Sequence, residues 1–371
     1  MKIAFCPDAT MTYPEGTGHL WAYLSWALAL RDIGAELVWL EGVLPGDPAE
    51  LSSLAERHVE RLAAVGIDTE IALFTWTDEP LAPVDGCVPL DAAYDADLLL
   101  NFGYEMPASV VSRFRRSALV DIDPGLLQLW VAAGEVDLAP HDVYFTIGET
   151  VGTAPARFPD CGIEWHFVPR PVHLDSWAFT PPTERGAYTT VSHWWGEEWI
   201  RFNGAVHDNS KRFAFLDYLD LPALVAAPLE LALLLDDDDE IADLKRRGWR
   251  IQNPWLVART SEEYRLYIQG SRGEFSCAKR SCALLANAWV SDRTLCYLAS
   301  GRPAVVEHTG PSRFLPDGEG IFRFRSPAEA ARALEAVERD YENQASAARQ
   351  LAEEHFDAVK TLRRALEVAL P

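Results

Sequence analysis

The chain has 371 residues, 49% of them hydrophobic and 24% charged, with a formal net charge of -23. Such a composition excludes a disordered or fibrous polymer, and the length points to two domains of ordinary size. So negative a field excludes nucleic acid and anionic membrane surfaces as partners and speaks otherwise to solubility.

MKIAFC opens the chain as a buried strand, Lys2 to Cys6, and not as a signal peptide. A helix over Gly18 to Ile33, closed by Gly34, and a strand over Glu36 to Leu40 complete a β-α-β start. The helix's apolar stretch, Leu20 to Leu30, is amphipathic and too short to span a bilayer. Helices follow at Pro48 to Val65 and Gly125 to Ala133, with strands at Ile71 to Phe74, Leu98 to Phe102, Leu119 to Ile122 and Val143 to Ile147. Residues 1–170 therefore read as a Rossmann-like, doubly wound domain.

The proline-rich stretch VPRPVHLDSWAFTPPTERG marks an interdomain linker at 171–186. The β-α-β logic restarts with a strand at Tyr188 to Ser192, a helix at Arg212 to Leu219, a strand at Leu229 to Leu235 and a helix at Ile241 to Arg247. Trp249 to Gln252 and the helix SEEYRLYIQGS follow, so residues 187–350 read as a second domain of the same kind. From Pro327 to Leu370 the pattern is that of charged amphipathic helices, and 351–371 is placed as a helix packing back on the first domain.

Within the second half, RTLCYLASGRPAVVEHTGPSRF carries a helix striped by Leu295, Leu298 and Ala299, a turn at Gly301, a short strand at Pro303 to Val306, and a loop of Thr309, Gly310, Pro311 and Ser312 beside Arg313. This order presents backbone N–H groups to a phosphate at a strand's carboxyl end, although any α/β enzyme contains similar stretches. The six cysteines Cys6, Cys87, Cys161, Cys277, Cys282 and Cys296 contain no CxxC pair and read as reduced thiols of a cytoplasmic protein.

GEFSCAKRSCALLANAWVSDRTLCYLASGRPAVVEHTGPSRFLPDGEG, from Gly273 to Gly320, and more weakly Pro14 to Gly34, resemble glycosyltransferases of the GT-B fold, especially family-4-like enzymes of the glycosyltransferase family 1 domain type. The resemblance implies an α/β protein of two doubly wound domains facing each other across a cleft. The first domain takes an acceptor and the second a nucleotide sugar, without metal or cofactor. It implies transfer of a sugar to an acceptor, and the lack of a basic-hydrophobic membrane-binding surface in the sequence points to a soluble small molecule, in specialised metabolism. Family-4 enzymes carry two glutamates with seven residues between them in this region; here Ala288 and Cys296 stand in their places, leaving Asp292 and Glu307 as nearby carboxylates.

Gly16, Gly18 and His19 sit where the first strand turns into the first helix, and the histidine is placed to take a proton from an acceptor hydroxyl. The alternative is a purely positioning histidine. Glu105 and Asp121, with Asp123, are candidates to bind the acceptor or assist the base, or serve only as turn residues. For the donor, Lys211, Arg212, Lys279 and Arg293 are candidate diphosphate cations, against the reading of solvated helix charges. Gly273, Glu274, Asp292 and the loop Thr309 to Ser312 lie in the donor segment, while His193, Trp194 or Trp195 could stack on a base or pack as core. Asp236 to Asp239 read as a helix cap and not as a DxD metal motif. A base at His19 suggests inversion, whereas the family resemblance suggests retention. A non-catalytic nucleotide-sugar-binding protein and a sugar-nucleotide epimerase of the same architecture remain as alternatives.

Overall fold

The computed structural model describes residues 1–14, 16–181, 186–196 and 199–371, so Glu15 of the first glycine loop and positions 182–185 of the expected linker lie outside it. The chain divides into two compact units, one of residues 1–152, 158–173 and 358–371, the other of 153–157 and 174–357.

In the first unit β1 (Lys2–Cys6), α1 (Thr17–Asp32), β2 (Glu36–Val43), α2 (Pro48–Ala63), β3 (Glu70–Thr75), β4 (Leu98–Asn101), α3 (Ala108–Val111), β5 (Ser117–Asp121), α4 (Leu126–Ala133), β6 (Val143–Thr146) and β7 (Trp165–Phe167) follow one another. Their strands form a parallel sheet in the order β3-β2-β1-β4-β5-β6-β7. Every residue of β4 and β5 is buried, as in a parallel sheet covered on both faces. The amphipathic expectation for α1 does not hold: Leu20, Trp21 and every residue from Tyr23 to Leu30 are buried. The helix lies between the sheet and the terminal helix α13 (Ala358–Ala369), which contributes a second apolar surface. Asp47 caps α2 by accepting from the Ala49 N–H at 3.0 Å, with Pro48 at the first helical position.

The second unit runs β8 (Tyr188–His193), β9 (Trp199–Phe202), β10 (Ala205–Asp208), α5 (Lys211–Phe215), β11 (Leu229–Leu234), α6 (Asp238–Arg246), β12 (Arg250–Gln252), α7 (Pro254–Val257), α8 (Ser261–Gly270), β13 (Gly273–Ser276), α9 (Arg280–Leu285), α10 (Asp292–Ala299), β14 (Ala304–Glu307), β15 (Ile321–Phe324), α11 (Pro327–Arg339) and α12 (Tyr341–His355). Its main sheet is parallel, in the order β12-β11-β8-β13-β14-β15, and β9 and β10 form a separate antiparallel hairpin. The expected helix over Arg212 to Leu219 is shorter, since α5 tightens into a 3-10 turn at Leu216. The chain returns to the first unit at Ala358, after α12, where the sequence reading placed that return at 351.

One face of the second sheet carries an aromatic core in which Phe275 stacks on Phe324 at 5.4 Å and Trp249, Phe215 and Tyr218 pack around Phe275. Removing any one of these rings costs about 3–5 kcal/mol. Asp237 caps α6 by accepting from the N–H groups of Asp239 and Glu240, both at 3.0 Å, so this part of the aspartate run serves as the helix start that its sequence suggests.

Candidate active site

Both sheets reverse their strand order beside their first strand, between β1 and β4 in the first unit and between β8 and β13 in the second. In doubly wound sheets, ligands bind at the carboxyl ends of the strands at this reversal, because the flanking crossovers leave in opposite directions and open a crevice.

In the first unit the reversal brings together the loop after β1, the start of α1 and the turn after β4. His19 Nε2 lies 2.6 Å from the Asp8 carbonyl oxygen. A carbonyl only accepts, so Nε2 carries the hydrogen and Nδ1 of the neutral ring holds the basic lone pair. The ring is held edge-on between Tyr13 and Tyr23. The β1 loop is itself anchored: the Thr10 hydroxyl, the Met11 N–H and Trp39 Nε1 all donate to the buried Glu41 carboxylate on β2.

A pocket of about 490 Å³ opens at this end of the sheet. Its walls bear the carboxylates of Asp8, Glu105 and Glu135 and the rings of Trp76, Phe102, Tyr104 and Trp130. Phe102 is braced edge-on by Tyr23 and Trp26. The Trp76 indole occupies space that only glycine leaves, since a Cβ at Gly42 would fall 2.2 Å, and at Gly103 2.6 Å, from its ring. Asn101 pins the turn after β4 by bonding both the N–H and the carbonyl of Gly103, at 2.8 and 2.9 Å.

Of the carboxylates expected here, Glu105 is exposed and lines the pocket, but Asp121 does not take part in it. Asp121 is fully buried, with Oδ1 accepting from the Asp123 N–H and Oδ2 from Gln128 Nε2 and Thr146 Oγ1 at 2.9 and 2.7 Å. Burial pushes its carboxyl up to about 7, and it ties β5 to β6 and α4 as a positioning group. Asp123 is fixed beside the pocket by Tyr104, whose hydroxyl donates to its carboxylate at 3.0 Å and accepts from the Ile122 and Asp123 N–H groups. The sequence reading passed over Asp8, Trp76, Trp130 and Glu135. Asp8 carried a usable signal, standing just past the end of a first strand at the reversal; the other three converge only in three dimensions.

In the second unit Lys211 opens α5 and its Nζ donates to the Cys277 carbonyl, immediately past the carboxyl end of β13. Burial, and then the nearby Arg293, push its ammonium down to about 8. His193 ends β8, Lys279 begins the turn into α9 and Asp292 begins α10. Glu307 ends β14 and accepts from the Ala278 N–H at 2.9 Å, and burial raises its carboxyl.

Several expected donor residues are committed elsewhere. Arg293 is buried and donates to Glu274 at 2.9 Å, to Ser276 Oγ at 2.6 Å and to the Val191 carbonyl at 2.9 Å, so it braces β13 to β8 and faces no open surface. Glu274, fully buried as its partner, and Gly273 occupy the amino-terminal half of β13, away from the ligand end. Trp194 is fully buried beside Phe215 and cannot stack on a ligand. Arg212 pairs with Glu240 at 2.6 Å and lies over the exposed Trp195 ring.

The glycine loop is also turned inward. Thr309 Oγ1 donates to the Trp289 carbonyl at 2.6 Å, and the Gly310 N–H to His308 Nδ1 at 3.1 Å. Ser312 Oγ accepts from the Phe314 and Leu315 N–H groups, while Pro311 is exposed and has no N–H to offer. Gly310 has φ +134 and lies so close to Ala286 that a Cβ would come within 2.5 Å of its carbonyl oxygen. The cavity beneath this loop, reaching Ser276 and Glu307, has a volume of about 20 Å³, enough for little more than one water. Cys296 is buried inside α10 and Ala288 sits at φ +58 in the turn packed on Thr309.

No family model matches the sequence, and no curated protein is similar to it at a significant level. Solved structures are similar along the whole chain. An α-glucosyltransferase in complex with UDP superposes with a TM-score of 0.60 at 12% identity, covering 100% of both chains. Sucrose-phosphate synthase from Thermosynechococcus elongatus gives 0.56 at 12% identity, again over 100% of both. AviGT4, a glycosyltransferase involved in avilamycin A biosynthesis, gives 0.53 at 14% identity over 100% of this chain and 97% of its own. With two Rossmann-like units in this strand order and whole-length likeness to these proteins, the chain has the GT-B fold of glycosyltransferases.

Proposed function

We propose that the chain is a glycosyltransferase that moves a sugar from a nucleoside-diphosphate sugar to a soluble small-molecule acceptor, without a metal ion. The observation that carries this reading is the half-buried Lys211 ammonium at the carboxyl end of the reversal strands, in a fold that a UDP-bound glucosyltransferase shares over its full length. A diphosphate leaving group gains negative charge as the glycosidic bond breaks, and a cation already desolvated at that position stabilises the charge without reorganisation. Lys279 and His193 are assigned to the same ligand, and Glu307 and Asp292 to its sugar or ribose hydroxyls.

In the first unit His19 is the base. The acceptor O–H or N–H gives its proton to Nδ1 as the heteroatom attacks the sugar's anomeric carbon. The bond from that carbon to the diphosphate oxygen breaks, and its electron pair leaves with the nucleoside diphosphate. Six unpaired thiols support a reducing, cytoplasmic setting, and no helix among the described residues is long and apolar enough to cross a membrane.

The test is thermal shift against nucleoside diphosphates, followed by their release from nucleotide sugars in the presence of EDTA. Binding with EDTA-resistant release supports the reading. Binding with no release across an acceptor panel favours a non-catalytic sensor, and product formed without acceptor an epimerase.

A further inference from the structure

The pocket of the first unit is one-sided in charge. Asp8, Glu105 and Glu135 line it, and among the described residues no lysine or arginine does. The Asp8 carboxyl is raised first by burial; His19 opposes this, and the nearby charges of Asp123 and Glu105 add to it. Asp8 is still exposed, so solvent screens part of the repulsion between these carboxylates and leaves that of Asp8 open to a ligand entering the pocket. Arg170 donates to the Ile122 carbonyl at 3.4 Å. The Tyr23 hydroxyl is buried beside Asp8 and Asp123. The remaining walls are indole and phenyl rings, whose electron-rich faces attract cations and cover carbon skeletons.

We propose that this pocket binds a small organic cation, an ammonium-bearing acceptor whose charged nitrogen is held by Asp8 and Glu105 and whose carbon frame lies against Trp76 and Trp130. The role of acceptor rests on the transferase reading; the preference for a cation does not. A neutral polyol could donate hydrogen bonds to these carboxylates but would leave their mutual repulsion in place, whereas an ammonium relieves it. The net charge of -23 also steers cations toward the protein.

The test uses the full chain and three probes of one shape, phenylethylamine, 2-phenylethanol and phenylacetate, titrated at pH 7 and low salt with tryptophan fluorescence as readout. Phenylethylamine is expected to bind at least about tenfold more tightly than the alcohol, the margin of one charge-assisted hydrogen bond, with phenylacetate weakest. Glu105→Gln and Asp8→Asn, each confirmed folded by its unfolding midpoint, are expected to cut that margin to less than about threefold. Equal binding of amine and alcohol, tighter binding of phenylacetate, or a margin unchanged in both variants overturns the proposal. Binding of the common nucleoside diphosphates is measured by thermal shift on the same wild-type sample. A cation preference with no binding of any of the common nucleoside diphosphates supports the pocket and refutes the transferase; nucleoside-diphosphate binding without a cation preference does the reverse.

Discussion

If Lys211 grips a diphosphate, binding must be linked to its proton. Burial holds the ammonium at about 8 in place of the ordinary 10.5, so the free protein is about nine-tenths charged at pH 7 and about one-tenth charged at pH 9. A bound diphosphate favours the charged form and returns the group toward its ordinary range, so binding in this window takes up a proton. The phosphate's own second ionisation, near pH ~6, is complete below it. Affinity for a nucleoside diphosphate should therefore fall about tenfold from pH 7 to pH 9, a loss of about 1.4 kcal/mol. Calorimetry at pH 8 in two buffers of different ionisation enthalpy should show uptake of about half a proton per ligand. Lys211→Met should remove both the slope and the uptake and weaken binding at pH 7 by about tenfold or more. Affinity that stays level from pH 7 to 9, or a slope that survives in Lys211→Met, would refute the assignment of Lys211 to the ligand.

Three further outcomes follow from the geometry. His19→Ala should lower turnover about 10²–10⁴-fold while leaving nucleoside-diphosphate affinity within about twofold, and a variant that keeps full turnover would remove the base assignment. Arg293→Ala leaves the Glu274 carboxylate buried without its cation and should cost about 3–5 kcal/mol in urea unfolding; a loss under about 1 kcal/mol would show that the pair is not structural. Glu41 is raised from 4.5 to about 7 by burial, so the stability it allows is full on the acid side and is lost as pH climbs through about 7. Glu41→Gln keeps an acceptor for Thr10, Met11 and Trp39 and carries no charge. It should match wild type at pH 4 and exceed it at pH 8 by up to about 3 kcal/mol, and equal stabilities at both pH values would contradict the raised carboxyl.

The start of the fold is legible because its punctuation is local: β1 ends at Cys6 before Pro7, and α1 and β2 are separated by Gly34 at φ +87. β13 escapes the same reading because Gly-Glu-Phe-Ser looks like a turn. Only the distant Arg293 makes Glu274 tolerable inside a sheet. The same long-range pairing misled the site assignment, since a basic residue near a glycine loop looks alike in sequence whether it meets a phosphate or a buried glutamate. His19 could be singled out by its place between a strand and a helix. Trp76 and Trp130 belong to β3's loop and to α4, and nothing in the order of residues shows that one pocket wall needs both.

The clearance for the Trp76 indole makes the pocket's width adjustable from behind. Two absent side chains, at positions 42 and 103, form a mould into which the ring is pressed, and neither glycine lines the pocket itself. Restoring a methyl group at either position would drive the indole toward the opening and narrow it, whereas shortening Trp76 would leave a furrow running between the two glycines. Acceptor size could thus be retuned at three codons that leave every carboxylate where it is, so selection or design could change which molecules fit without disturbing the charge that attracts them.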